Sequence, residues 1–321
     1  MREYGLKDAI DEYMPLIDEP LQELKLPIFE RFMRAARIFV EMAITESKFS
    51  SKEELLKSEV FNEKIVPLVN DWYWAKYGEL ARKPKNRLFS GIITPYGQPV
   101  LISFPSTNSK VEIPNKTSWL IFPDCVQETE SLSDMLQSPL ELDKMPTNDR
   151  KKLLDEFKEI VSMTRSINLN IMSASSCFDV DTNNMANGIW SHFEKAINDI
   201  LSFKNHQASI GCWELHLAIE KSLKVYLKQK DGKKHVGHDL GVLCNKVEKN
   251  LPNIDFSLIE TLPSDKKAIQ FRYSELITDI ESAVSYYQKA LMLVFLITNE
   301  LSFKYRFHNT SFLIKVAPWA K

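Results

Sequence analysis

Six histidines, at positions 192, 206, 216, 235, 238 and 308, are the side chains whose ordinary pKa lies near neutrality, so they bound where proton transfer can be sought. His235 and His238 are three apart, as metal ligands can be, but no third ligand follows at a sensible spacing; neither a metal site nor a cofactor is expected. Cys125, Cys177, Cys212 and Cys244 stand at least 32 residues apart with no Cys-x-x-Cys pair, which excludes the usual zinc spacing and leaves free, buried thiols. Glu220 and Lys224 are four apart in the order that pairs on a helix face, with Lys221 beside them. Between Glu220 and Lys249, eight lysines face four acids, a local +4 in a chain of net charge -2. Such a strip could steer nucleic acid, but it holds no aromatic stacking platform, so a solvated loop is the preferred reading. His238 leads into a helix whose first turn holds Asp239, which favours an end-cap role. Arg272 and Tyr273 precede the last long helix; if buried, Arg272 would need an acidic partner, and Glu214 or Glu220 could serve.

These groups must be positioned by helices. The chain has 321 residues, 44% hydrophobic and 26% charged, with only 9 glycines and 15 prolines: a globular composition that leans to helix. After a polar, acidic start, Pro27 opens a helical stripe of Phe29, Phe32, Met33, Ala36, Phe39, Val40 and Ala43. A second segment begins at the Ser51-x-x-Glu54 capping box and runs to Trp72 and Trp74, which are read as packing rather than as a binding platform. The composition shifts after Lys83, Pro84 and Lys85. Apolar runs over 88–94 and 100–104 flank Pro95, Tyr96, Gly97 and Gln98, which predicts a hairpin; Trp119 to Phe122 would add a third strand. A helix from Asn148 through Val161 follows, then a Ser-, Asn- and Asp-rich stretch, 173–187, that reads as a linker and the main boundary. Beyond it lie a stripe from Ile189 to Leu201, another from Ala208 to Tyr226 whose small residues permit close approach, a helix from Asp239 to Asn250, and a long one opened by Thr278-x-x-Glu281. The last carries Ile280, Val284, Tyr287, Leu291 and Val294, the spacing of an up-and-down bundle. The expected fold is mainly α with a small antiparallel β-sheet: a 1–180 helical domain with a sheet near 88–122, a 188–303 bundle and a 304–321 tail. The longest apolar run, Ala290 to Ile297, is short for a membrane span, and Met1, Arg2, Glu3 and Tyr4 open no signal-peptide core, so a cytoplasmic protein without a membrane partner is expected.

The run Glu214-Leu215-His216-Leu217-Ala218-Ile219-Glu220-Lys221-Ser222-Leu223-Lys224, a basic loop containing glycine, the His238-Asp239-Leu240 turn, and Arg272-Tyr273 before the final helix together resemble the core of a HEPN domain. The resemblance covers roughly residues 188 to 303, and Gly237 stands where the family usually has Thr. It implies a helical bundle that often dimerises. Some members are RNA-cleaving toxins or antiviral effectors, and others are non-catalytic modules that bind nucleotide or protein. Catalytic members resemble one another in an Arg followed four to six residues later by His: the imidazole moves a proton and the guanidinium holds the phosphate. Here Arg272 is followed by Tyr273, Ser274, Glu275, Leu276, Ile277, Thr278 and Asp279, and Arg306 by His308, which is too close. The chain has no Gly-Ser dipeptide, so a nucleotidyltransferase of the kind some HEPN proteins pair with would be a separate chain.

Three functional expectations follow. The first is a non-catalytic HEPN-like binding or assembly module, a homodimer through its bundle, in a prokaryotic defence or toxin-antitoxin system, with RNA, nucleotide or protein as partner. On the resemblance, Glu220, Lys221, Lys224, His238, Asp239, Arg272 and Tyr273 would line its ligand groove. The second is a metal-independent endoribonuclease with a divergent site built from Arg272, His216 and His238. The third is a housekeeping protein that binds nucleotide at Lys221, Lys224 and His238.

Overall fold

A computed structural model describes residues 4–82, 88–251, 254 and 256–317. Met1, Arg2 and Glu3, the composition shift at Lys83, Pro84 and Lys85, Arg87, and the last four residues of the tail lie outside the described residues. The chain forms two compact units, the first Met1–Asn86, Lys110–Trp119 and Leu313–Lys321, the second Arg87–Ser109 and Leu120–Phe312.

The first unit is built on α1 (Leu6–Glu23), α2 (Ile28–Ala43), α3 (Lys52–Lys57) and α4 (Val66–Tyr77), the last entered through a π-turn at Phe61–Ile65. The acidic start is therefore a helix. Ile10, Met14, Ile17 and Leu21 recur at spacings of four, three and four and are buried, while Pro15 and Pro20 fall on the exposed side. They meet Ala35, Ala36, Phe39 and Val40 of α2 and Val69 and Tyr73 of α4 in one core. Ser51 caps α3 as expected, accepting from the Glu54 amide at 3.2 Å.

In the second unit, β1 (Leu88–Ile93) and β2 (Val100–Pro105) form the expected antiparallel hairpin, from Leu88 opposite Pro105 to Ile93 opposite Val100. Trp119 does not extend it. β3 (Asn108–Ile113), β4 (Thr117–Ile121) and β5 (Ser311–Lys315) make a separate three-stranded sheet in that order, most of whose residues belong to the first unit, so the C-terminal tail contributes a strand. After α5 (Leu132–Met135), the bundle comprises α6 (Thr147–Ala174), α7 (Val180–Ile200), α8 (Asn205–Asp231), α9 (Leu240–Glu248), α10 (Ser257–Glu260), α11 (Asp265–Arg272) and α12 (Ile280–Asn299).

The stretch 173–187 is not a linker. α6 runs to Ala174, one 3-10 turn follows, and the Asp179 carboxylate accepts from the Thr182 amide at 2.7 Å to open α7. Asp179 caps α7, Asp181 and Asn184 take exposed helix positions, and the buried Ser173 accepts from the Phe307 amide at 3.1 Å, so none of them breaks the helices. α6 packs on β1 and α12. Gly91 makes this approach possible, since a Cβ there would lie 2.7 Å from Ile160 Cγ2. Arg165 on α6, 1% exposed, donates to both Glu130 oxygens at 2.6 and 2.8 Å and to the carbonyls of Pro105 and Cys125 at 3.0 and 2.7 Å, fixing β2 and the following loop on the helix.

α8 is the central helix, flanked by α7 and α12 and buried on most of its circumference. Gly211 lets α7 close on it: a Cβ there would stand 3.1 Å from the Ala196 carbonyl. α12 presents Val284, Tyr287, Leu291 and Val294 to the core as the spacing predicts, but its cap is Asp279, which accepts from the Ser282 amide at 2.7 Å, rather than Thr278. α12 is also the one described helix long and apolar enough to cross a membrane by length and composition, and half of that stretch is buried within the bundle. Cys212 and Cys244 are buried; Cys125 and Cys177 are exposed, against the expectation of buried thiols throughout, because both lie in loops or turns.

Candidate functional site

α8 supplies most of the groups singled out in the sequence. Glu220, 5% exposed, holds Lys224 Nζ at 2.6 Å through one oxygen and His238 Nδ1 at 3.0 Å through the other. The first contact is the i,i+4 pair expected from spacing. The second crosses from the loop after α8, where Gly237 has a φ of 99° that a side chain rarely adopts and so turns the chain back to the helix. The His238 ring stays largely exposed, while its carbonyl lies 3.4 Å from His216 Nε2. Asp239, expected in the first helical turn behind a capping His238, is itself the N-cap, accepting from the Val242 amide at 2.9 Å.

His216 is fully buried, stacked on Trp213 with ring centroids 5.7 Å apart and planes 11° apart. Its Nε2 also lies 3.5 Å from Asp265 Oδ1. Both neighbours of Nε2 are acceptors, so the neutral ring carries its proton there and leaves Nδ1 an acceptor without a partner. Burial pushes the His216 pKa below the ordinary histidine value, even though Asp265 pulls it up. Burial and the neighbouring Asp239 carboxylate raise Asp265 in turn, although the Leu240 amide donates to it at 3.2 Å.

Lys221, half-buried, lies across Gly188 of α7: a Cβ at Gly188 would stand 2.6 Å from its ammonium nitrogen. Arg272 is exposed, with its guanidinium 5.4 Å from the Trp213 ring and 5.4 Å from that of Tyr273, itself exposed at the end of α11. The acidic partner expected for Arg272 is absent from this contact set. Glu214 is taken by His192 Nδ1 at 2.7 Å and by Lys195, and Glu220 by Lys224 and His238. An exposed guanidinium needs no carboxylate, and an indole face satisfies it. Burial pushes the Glu214 carboxyl up, but the bonds from His192 and Lys195 outweigh this and hold it below the usual range. His192 and Lys195 were not singled out from the sequence; their signal is a His and a Lys three apart on the face of α7 that meets α8.

The candidate acid–base groups thus do not converge on one open cleft. Arg272 faces the Trp213 ring rather than an imidazole, His216 is sealed beside it, and His238 is tied to Glu220. Leu276, Ile277 and Thr278, where the resemblance would place an imidazole, line a cavity of about 650 Å³. The basic strip is partly neutralised from within: Lys228 reaches Asp179 at 2.9 Å, His235 reaches Asp231 at 2.8 Å, and Lys230 lies over the Tyr226 ring. Among the described residues, no three His, Cys, Asp or Glu side chains gather as a metal-binding set. No protein-family model, curated protein or solved structure matches the chain.

Proposed function

We propose that the protein is a non-catalytic, HEPN-like binding or assembly module that acts in the cytoplasm as a homodimer, within a prokaryotic defence or toxin-antitoxin system. The observation that supports the non-catalytic part is the engagement of the candidate groups. Each of these side chains already has an internal partner or is sealed: Glu220 is paired with Lys224 and His238, His216 is buried, and the exposed Arg272 lies over Trp213. A ribonuclease of the HEPN kind needs its imidazole and guanidinium free to meet one phosphodiester. The family, the dimer and the biological setting rest on the resemblance of residues 188 to 303. Incubating the full chain with total RNA in the presence of chelator tests the reading. Intact RNA is expected, whereas cleavage that Arg272→Ala abolishes would replace it with the endoribonuclease reading. Light scattering at micromolar concentration tests the dimer, which a monomer mass would refute.

A further inference from the structure

The cavity beside α12 has two walls. Along α12, Ser282, Ser285, Tyr286 and Lys289 follow one another at spacings of three, one and three, so they share a stripe, and all four line the cavity. The facing wall comes from the segment around α11 and sets Leu262, Phe271 and Ile277 beside Lys267, Thr261 and Thr278. Neither Lys267 nor Lys289 has a carboxylate partner among the described residues. Glu281 is the single described acid on the wall, so the lining carries net positive charge.

Tyr286, only 4% exposed, is among the lining residues, but its hydroxyl has almost no accessible surface and so lies behind the wall rather than in the cavity. Two ammonium groups without a carboxylate, one on each wall, beside Leu262, Phe271 and Ile277 match a molecule with an acidic head and an apolar body. The volume of about 650 Å³ lies in the range of small-molecule sites.

We propose that this cavity binds a small amphipathic organic anion, its acidic head held by Lys267 and Lys289 and its apolar body against Leu262, Phe271 and Ile277. The site uses none of the Glu220, His238 or Arg272 groups and stands independently of the HEPN resemblance. A fluorescence titration of the full chain with 8-anilinonaphthalene-1-sulfonate, which has this chemistry, tests it. One saturable site is expected, weakened at least tenfold in the Lys267→Gln/Lys289→Gln double variant and severalfold in Ile277→Ser. Lys267 and Ile277 are exposed and Lys289 is half-buried, so the melting temperature of these variants should stay at the wild-type value. Displacement by dodecanoate would identify an acyl body and displacement by AMP a nucleoside one; either supports the site. Probe binding that is unchanged in the double variant, or that neither competitor displaces, overturns it.

Discussion

Asp18 on α1 and Glu220 on α8 are both buried carboxylates, yet their partners differ in kind. Asp18, fully buried, receives Tyr73 Oη at 2.8 Å, Gln22 Nε2 at 2.8 Å, Lys76 Nζ at 3.0 Å and the Tyr77 hydroxyl, and Arg31 stands 3.6 Å away. Three of these donors come from α4, so one carboxylate fastens α1 to α4. Glu220 has only two partners, and one of them is the exposed ring of His238 on a loop. A network closed on rigid helices fixes a fold; one whose outer member is a solvated loop histidine can open without unfolding anything. The contrast separates the scaffold of the first unit from the adaptable face of the second.

The sharpest way to break this comparison is Asp18→Ala. Removing the carboxylate leaves Arg31 and Lys76 without their counter-charge, and breaking a buried pair in this way costs about 3–5 kcal/mol. Chemical denaturation should show this loss in the first unit, and an effect under 1 kcal/mol would remove the distinction. Acid titration probes the same network. Burial pushes the Asp18 carboxyl up, but the Tyr77, Lys76, Tyr73 and Gln22 bonds prevail and bring it down to about 2 from 3.8. The unfolded chain then takes up the proton first, so the contribution is complete above pH 4 and fades as pH falls towards 2. Asp18→Asn should flatten that part of the curve.

Glu220→Gln comes next. It keeps the shape but leaves Lys224, with 12% of its side chain exposed, without its charge partner, whereas His238 can turn to water. A loss of about 1–2 kcal/mol is expected, well below that at Asp18. Its nuclear magnetic resonance signature should be local, confined to the His238 loop and the start of α9. A loss equal to that of Asp18→Ala would mean that both networks are equally closed. His216 gives a smaller effect with its own sign. Its folded pKa lies below that of the unfolded chain, so the folded state resists protonation: stability is full above pH 6.5 and is lost as pH falls below it. His216→Phe should remove this slope in melting temperature between pH 7 and 5.5, and a slope that survives would assign it to another group.

Much of the helical frame was legible because apolar residues recur at helical spacing, as in α2, α8 and α12, and because Pro95 to Gln98 punctuate the hairpin. α1 reads only as a polar, acidic start, since the acids and prolines on its exposed side mask the buried stripe of Ile10, Met14, Ile17 and Leu21. β3 and β5 gave no signal, since nearly all their residues are exposed; β3 is defined as a strand by pairing with β4, which follows it, and β5 by pairing with β4 from the far end of the chain. The candidate site was legible in its local part, the Glu220 and Lys224 pair and a helix start near Asp239. The contacts made at a distance, His192 and Lys195 with Glu214, Glu130 with Arg165, and Trp213 with Arg272, depend on which helix faces meet, and no single segment carries that information.

Arg272→Ala should produce the smallest change and yet discriminates most about function. The guanidinium is exposed and held only by the Trp213 and Tyr273 faces, contacts worth about 0.5–1 kcal/mol at the surface. Under the binding-module reading, the variant loses that amount in a thermal melt and treats total RNA as the wild type does. The residue tests the comparison too, because an Arg that fastened the bundle as Arg165 fastens β2 would cost several times more. A loss near 3 kcal/mol would place Arg272 with the closed networks and withdraw the adaptable face from this end of α8. A loss under 1 kcal/mol together with unchanged tryptophan fluorescence would show that the stacking is not maintained in solution. The expected result is a loss of about 0.5–1 kcal/mol accompanied by a shift in the emission of Trp213, with no change in the rest of the fold.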